Sequence, residues 1–216
     1  MLSVIASVNK KDVYEKFLLP SLERAQRSLR EIGMPELDIV VVEGSESIFK
    51  NYNAGAAKAI YKIKVFVHQD VDLMEPTWVF KILKTFAEDP KCGLIGMVGT
   101  TVLNDRGFWW ESGKQNVVGE LFSGNEKADW SFKPLLFPVE VQCVDGFFMA
   151  LRADVWWDET LTGFHCYDMD MSRTVRSLDS TVKVIPHKAW HVGEIRSNEG
   201  VDELLRTYAW KWRDRR

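Results

Sequence analysis

Short apolar runs alternate along this chain with longer stretches in which apolar residues return every three or four positions, the two periodicities that separate strands from helices. "LSVIASV" at the start predicts a short buried strand. In "KKDVYEKFLLPSLERAQRSLREIG" the residues Val13, Phe17, Leu18, Leu22, Ala25 and Leu29 recur at helical spacing, and Gly33 ends that helix. "LDIVVVEG" is a continuous β-branched run bounded by Gly44, the pattern of a fully buried strand. The Ala-rich "NYNAGAAKAI" (51–60) predicts a second helix, which leads into the strand of "KVFVHQDVDL". Strand, helix, strand, helix, strand within the first 73 residues predicts α/β units with right-handed crossovers and a parallel sheet. Ligands of such sheets sit beyond the carboxyl ends of the strands.

Further on, "EPTWVFKILKTFAEDP" is a helix with Pro76 near its start, and "CGLIGMVGT" is another apolar strand. Residues 104–135 lose clear periodicity and mix glycines, charges and Trp, which predicts a long surface excursion containing a hairpin, in the role of a lid or acceptor loop. "PVEVQCVDGFFMALRADVW" alternates as one or two strands, "DMDMSRTVRSLD" as a helix, "TVKVIPHKAWHVG" as a strand and its exit, and "NEGVDELLRTYAWKWRDRR" as a terminal helix.

Composition narrows the classes. With 216 residues, 46% of them apolar, the chain suffices for one large core, and a single domain over 1–216 is expected. Charged residues make up 27% and the net charge is only −3, so no global field draws the protein to nucleic acid or to a membrane. Three widely spaced cysteines fit neither a disulfide framework nor a C-x-x-C zinc site, and the reducing cytoplasm is the expected compartment. "MLSVIASVNKK" has too short an apolar run for a signal peptide, with its lysines on the wrong side, and no apolar run reaches the roughly 18 residues of a membrane span. Nine tryptophans cluster at Trp109-Trp110, Trp130, Trp156-Trp157, Trp190 and Trp210/Trp212, as core or as sugar-stacking surface.

Acidic and imidazole groups recur after strand-like segments: Asp70/Asp72, Asp145, Asp168/Asp170 and His187/His191. On an extended chain Asp70 and Asp72 project together, and their charges repel unless a cation, a proton or solvent compensates. Each group also has a plain structural reading. Asp145-Gly146 fits a hairpin turn, Asp168 fits a helix cap, and His191 after Trp190 fits a core histidine. Their order along the chain is what carries information.

In that order the sequence resembles the family 2-like glycosyltransferases of the GT-A fold, in their short prokaryotic branch. The resemblance runs through "SVIASVN", "VVVEGSES", "NYNAGAAKA", "VFVHQDVDL", "VDGFFMALRADVW", "GFHCYDMDMSRTVR" and "AWHVGEIRS". It implies a single-domain, Rossmann-like α/β fold with a mixed, mostly parallel sheet flanked by helices. It further implies transfer of a sugar from a UDP-, GDP- or dTDP-sugar to a hydroxyl of a glycan or lipid-linked acceptor, inverting in outcome and dependent on Mn²⁺ or Mg²⁺. "QDVDL" matches the family's D-x-D, which gives Asp72 the cation and Asp70 the sugar or ribose. "YDMD" stands where relatives have Glu-Asp-x-Asp, so Asp168 matches the general base and Tyr167 replaces a glutamate. His191 matches a further metal ligand. Ala6, Ser7, Val8, Glu43 and Asn53 match positions around base and ribose, with Glu43-Gly44 in place of an aspartate-rich "DDGS". Asp145, Trp109 and Trp110 are expected on the substrate side.

The chemistry accounts for these residue types. A departing diphosphate develops charge that an oxygen-coordinated cation neutralises, and carboxylate with imidazole suits Mn²⁺ better than Mg²⁺. Inversion needs a base within reach of the acceptor hydroxyl. Two rival readings keep the fold: a sugar-phosphate nucleotidyltransferase, against which stands the lack of glycine in "SVIASVNKKD", and a non-catalytic nucleotide- or sugar-binding relative. A GT-A fold also supports a retaining outcome. The basic end of the chain, with Trp210, Trp212, Arg206, Lys211, Arg213, Arg215 and Arg216, reads as a solvated helix end. Weak peripheral contact with anionic lipid, at the inner face of a membrane, is the alternative.

Overall fold

A computed structural model describes residues 1–44, 46–104, 108–124, 128–193 and 201–213. The first third of the chain holds β1 (Leu2–Val8), α1 (Lys11–Lys16), α2 (Leu18–Glu31), β2 (Asp38–Glu43), α3 (Ile48–Lys58) and β3 (Ile63–His68). The middle follows with β4 (Val71–Asp72), α4 (Trp78–Glu88), β5 (Cys92–Gly96), β6 (Val98–Thr100), β7 (Val117–Ser123), β8 (Ala128–Ser131) and β9 (Val139–Val141). Then come β10 (Cys143–Val144), β11 (Phe148–Leu151), α5 (Tyr167–Ser177), β12 (Thr181–Val184), β13 (Lys188–His191) and α6 (Val201–Trp212).

The larger sheet has the order β2-β1-β3-β11-β5-β12-β9. Its β1 runs parallel to β2 and β3, and β12 parallel to β5, while β11 is antiparallel to both β3 and β5. With β9 antiparallel to β12, five of the seven strands run one way and β11 and β9 the other: the parallel sheet the pattern predicts is the mixed, mostly parallel one the resemblance implies. Alternation along its central strands feeds two apolar layers. Leu2, Val4 and Ala6 of β1 join Leu18, Leu22 and Ile82 on one face, whereas Ile5 meets Phe49 and Tyr52 of α3 on the other. Gly55 lets α3 lie close on β1, because a Cβ there would stand 2.3 Å from Ile5 Cγ2.

The local differences from the sequence reading have physical causes. The long first helix is two, broken at Phe17, since a proline ring at position 20 clashes with the carbonyl of residue 16 in a continuous helix and is tolerated only in a first turn. Gly33 does end α2, with φ +70 and the paired bonds Gly33 N–H to Arg30 O (3.1 Å) and Met34 N–H to Leu29 O (2.9 Å) of a left-handed cap. β2 is not fully buried: it is the sheet's edge strand, and Val41 is exposed.

The excursion is where the reading and the structure part most. Within 104–135, β7 and β8 form the expected hairpin, but β7 also pairs with β6 and, in parallel, with β13. A second sheet of order β10-β6-β7-β13-β4 results. It carries β4 and β13 to the carboxyl end of β3.

Candidate active site

β3 ends at His68, and Gln69-Asp70 form a turn before β4. Gln69 braces this turn: its Oε1 accepts the Asn9 and Lys10 N–H groups, both at 3.0 Å, beyond the end of β1. β4 pairs with β13, which sets His191 opposite Val71, and the Val192 N–H reaches Asp70 O at 3.0 Å. Three side chains converge here. His68 Nδ1 and His191 Nε2 lie 3.3 Å apart, and Asp70 Oδ1 stands 3.9 and 3.5 Å from them respectively. Burial alone would raise the Asp70 carboxyl. The hydrogen bond from His191 and the two imidazoles' charge overcome it and hold the group well below the usual carboxylate range.

His68, Asp70 and His191 are the group of potential metal ligands among the described residues. Donor atoms at about 2.0–2.2 Å from one ion lie within about 4.4 Å of each other, and the three observed separations meet that limit. Two imidazole nitrogens and one carboxylate oxygen suit Mn²⁺ better than Mg²⁺. The other ring nitrogen of His68, Nε2, has the Tyr167 hydroxyl as its partner, which fixes the ring and leaves Nδ1 directed at the group. The residue standing in for the family's glutamate therefore positions an imidazole.

Asp72, the residue expected to hold the cation, stands outside this group. The two aspartates do not share a face, because Asp70 sits in the turn and Asp72 in the strand that follows it. Asp72 instead pairs with Arg24 of α2 and accepts the Met74 N–H at 2.7 Å. Sequence reasoning passes over His68, although its spacing from Asp70, at the end of the same apolar strand, is the available signal.

Facing the group across a cavity of about 260 Å³ lies the start of α5, with Trp109 and Asp145 beside it. Cys166 takes the left-handed conformation at φ 62 just before the helix, an arrangement that costs a side-chain-bearing residue about 1–2 kcal/mol, and turns Tyr167 and Asp168 into the cavity. Asp168 Oδ2 accepts from Trp109 Nε1 (3.1 Å) and from the Gly146 N–H (3.2 Å), and Oδ1 accepts from the Met169 N–H (2.8 Å). Burial, and next the neighbouring Asp145 charge, push Asp168 up to about 7. Asp145-Gly146 is not a hairpin turn, since β10 and β11 belong to different sheets. Glycine is required there because a Cβ would lie 2.3 Å from the Tyr167 hydroxyl.

Ser7 and Glu43 lie near the carboxyl ends of neighbouring β1 and β2, where open-sheet ligands bind. Asn53 does not join them: it faces the opposite side, donates to Trp157 O (2.9 Å) and Glu159 Oε1 (2.8 Å), and accepts the Trp157 N–H (2.9 Å). Asn51, two residues earlier in α3, is the residue that reaches Ser7 Oγ (2.8 Å) and Gly44 O (3.3 Å). His187 is buried and neutral; burial lowers it to about 4, and its Nε2 meets Leu73 O at 2.8 Å. Asp170 is held by Lys211 Nζ (2.7 Å) and Trp212 Nε1 (2.8 Å), so two members of the basic C-terminal group point inward. The Trp110 side chain, "EIRS" of the late histidine motif, and Arg215 and Arg216 lie outside the described residues.

The sequence profile described as "Glycosyltransferase like family" matches residues 3–203, and the chain belongs to that family. No curated protein sequence matches it. Among solved structures, it is similar to GalNAc-T7 with UDP, GalNAc and Mn²⁺, at a TM-score of 0.66 and 9% identity, covering 99% of this chain and 48% of that one. Staphylococcus aureus TarS 1–349 in complex with UDP-GlcNAc superposes at a TM-score of 0.59 and 12% identity, covering 99% and 66% of the two chains. The mannosyltransferase PcManGT from Pyrobaculum calidifontis, with GDP-Man and Mn²⁺, gives 0.54 and 14%, covering 100% and 64%. The fold is therefore GT-A, and the chain spans about half to two thirds of these structures' length. Among the described residues no helix is long and apolar enough to cross a membrane.

Proposed function

We propose that this chain transfers a sugar from a nucleotide-diphosphate donor to an acceptor hydroxyl on a glycan, with inversion. The observation that carries the reading is one cavity with the His68–Asp70–His191 group on one side and a carboxyl raised to about 7 on the other. His68, Asp70 and His191 would hold a divalent cation, which when bound supplies positive charge to neutralise a departing diphosphate. Asp168 takes the acceptor's proton, and a base poised near neutrality combines availability with driving force. Its three N–H partners leave part of the carboxylate's acceptor capacity for that hydroxyl. Trp109 holds Asp168 through Nε1 and presents its indole to the same cavity. Tyr167 keeps His68 in register, and Ser7 and Glu43 flank the strand ends where the nucleotide would enter.

A thermal-shift panel of UDP-, GDP- and dTDP-sugars with and without Mn²⁺, followed by an assay for donor consumption, tests this. One donor class raises the midpoint only with Mn²⁺ and is then consumed. No shift with any donor overturns the reading, and a shift without hydrolysis or transfer would mark a non-catalytic binding protein instead.

A further inference from the structure

A second concavity lies toward the far end of α5. It encloses about 520 Å³, and Trp156, Asp158, Thr174, Ser177, Trp210 and Arg213 are among the residues that line it. Trp156 is 54% exposed and Trp210 is 70% exposed, although tryptophan is a largely buried residue type. Leaving a large apolar side chain in water forgoes burial free energy, and here two indoles do so at the rim of one recess. The floor is rigid. Trp212, buried, is tied through Nε1 to Asp170, and Lys211 Nζ bridges Asp170 Oδ1 (2.7 Å) and Asp158 Oδ2 (2.9 Å).

The lining chemistry selects the ligand. Flat apolar faces stand beside the oxygens of Thr174, Ser177 and Asp158, so a polar edge borders an aromatic platform. The Lys211 ammonium is already shared between two carboxylates, and a phosphate beside Arg213 would meet the Asp158 carboxylate in the same lining. A bilayer would have to meet Asp158 within a recess. A neutral polyhydroxylated ring, with apolar C–H faces and hydroxyl edges, matches all of these features.

The recess and the first cavity lie on different faces of α5. Thr174 and Ser177 follow Asp168 by six and nine residues, about 9 and 14 Å along the axis and about 240° and 180° round it, on the side of Asp170, so an oligosaccharide joins the two sites only by passing around the helix. We propose that the recess between Trp156 and Trp210 is a second saccharide site, which holds a neutral sugar ring of an oligosaccharide acceptor a few residues from its reacting end. The site itself stands on the recess geometry; its use as an acceptor subsite rests on the transferase reading above.

Saturation-transfer NMR on the full chain, with cellohexaose, maltohexaose, chitohexaose and mannohexaose as probes, tests the proposal. At least one hexasaccharide shows transfer to its C–H protons, and Trp156→Ala and Trp210→Ala each weaken it by about tenfold or more. Both variants keep the wild-type melting temperature and the Mn²⁺-dependent donor shift. Binding by none of the four probes, or unchanged binding in both variants, overturns it. So does binding to phosphatidylglycerol vesicles that Trp210→Ala abolishes when no hexasaccharide binds, since the rim would then be a lipid contact. If no donor binds and a hexasaccharide still binds through the tryptophans, the transferase reading falls and the saccharide site stands. Donor turnover without tryptophan-dependent sugar binding does the reverse: the transferase stands and the second site falls.

Discussion

The turn into β4 and the first turn of α5 each carry two aspartates with one residue between them, and each sends them in different directions. In the turn, Asp70 joins His68 and His191 while Asp72 pairs with Arg24. In the helix, Asp168 faces the cavity while Asp170, two positions and about 200° further round, is bound by Lys211 and Trp212. The same D-x-D spelling thus yields one acid that faces the cavity and one held by a basic partner, at both places. The environments of the two cavity acids also differ in sign. Imidazole partners hold Asp70 down, whereas burial and Asp145 hold Asp168 up. One is kept charged and the other is poised to exchange a proton, the separation expected of a cation ligand and a base.

The sharpest break of this comparison is Asp168→Asn. Transfer should fall by roughly 10²- to 10⁴-fold, because an amide cannot accept the acceptor's proton, while donor and Mn²⁺ affinity stay at wild-type levels. In the wild type, transfer should rise with pH through about 7, since the protonated carboxyl that burial favours is inactive as a base. Asp170→Asn is the control. It should leave turnover intact but lower stability by about 1–3 kcal/mol, as Lys211 and Trp212 lose their charged partner. A pH-independent rate, or a larger kinetic loss at Asp170, would reverse the roles within the helix.

Next in size is Asp70→Asn. Removing a partner that only orients a ligand costs about 10- to 100-fold in metal affinity, so losing a direct carboxylate should cost more than about 100-fold. Titration of Mn²⁺ followed by calorimetry reads this directly. Wild-type affinity in the variant would place the cation away from the imidazoles.

Local patterns and distant contacts divide what is legible in the sequence from what is not. Apolar runs reveal β1 and β3, and helical spacing reveals α4 and α5, because burial imposes those periods whatever the tertiary partners. The order of motifs singles out Asp168 and His191, which the fold brings to one cavity. His68 is not singled out, since it ends a strand whose continuation the sequence does not interrupt: "VFVHQDVDL" carries neither glycine nor proline at its turn. The bend there depends on Gln69 reaching Asn9 and Lys10, and on β13 pairing with β4, contacts between distant parts of the chain. The second sheet is hidden for the same reason. β7 gains its partners from β6 and β13, and Asn53 is drawn away from the strand ends by residues 157 and 159.

The smallest expected effect is the one that isolates the turn. Asp72→Asn keeps an oxygen for the Met74 N–H, so the left-handed Met74 that follows (φ 54) retains its local bond. Only the ion pair with Arg24 is lost. Its side chains are 32% and 25% exposed, and partly solvated pairs of this kind contribute about 0.2–1 kcal/mol. Stability in urea should therefore drop by about that amount, more so at low salt than at high. Mn²⁺ affinity should match the wild type, because Asp72 Oδ1 is turned to α2 and His68, Asp70 and His191 remain. If instead Asp72→Asn loses Mn²⁺ while Asp70→Asn keeps it, the chain in solution must straighten the turn at Gln69-Asp70. Gln69→Ala, which removes the brace without touching a ligand, should then shift the cation as well; with the turn as described, that change weakens Mn²⁺ binding only through the position of Asp70.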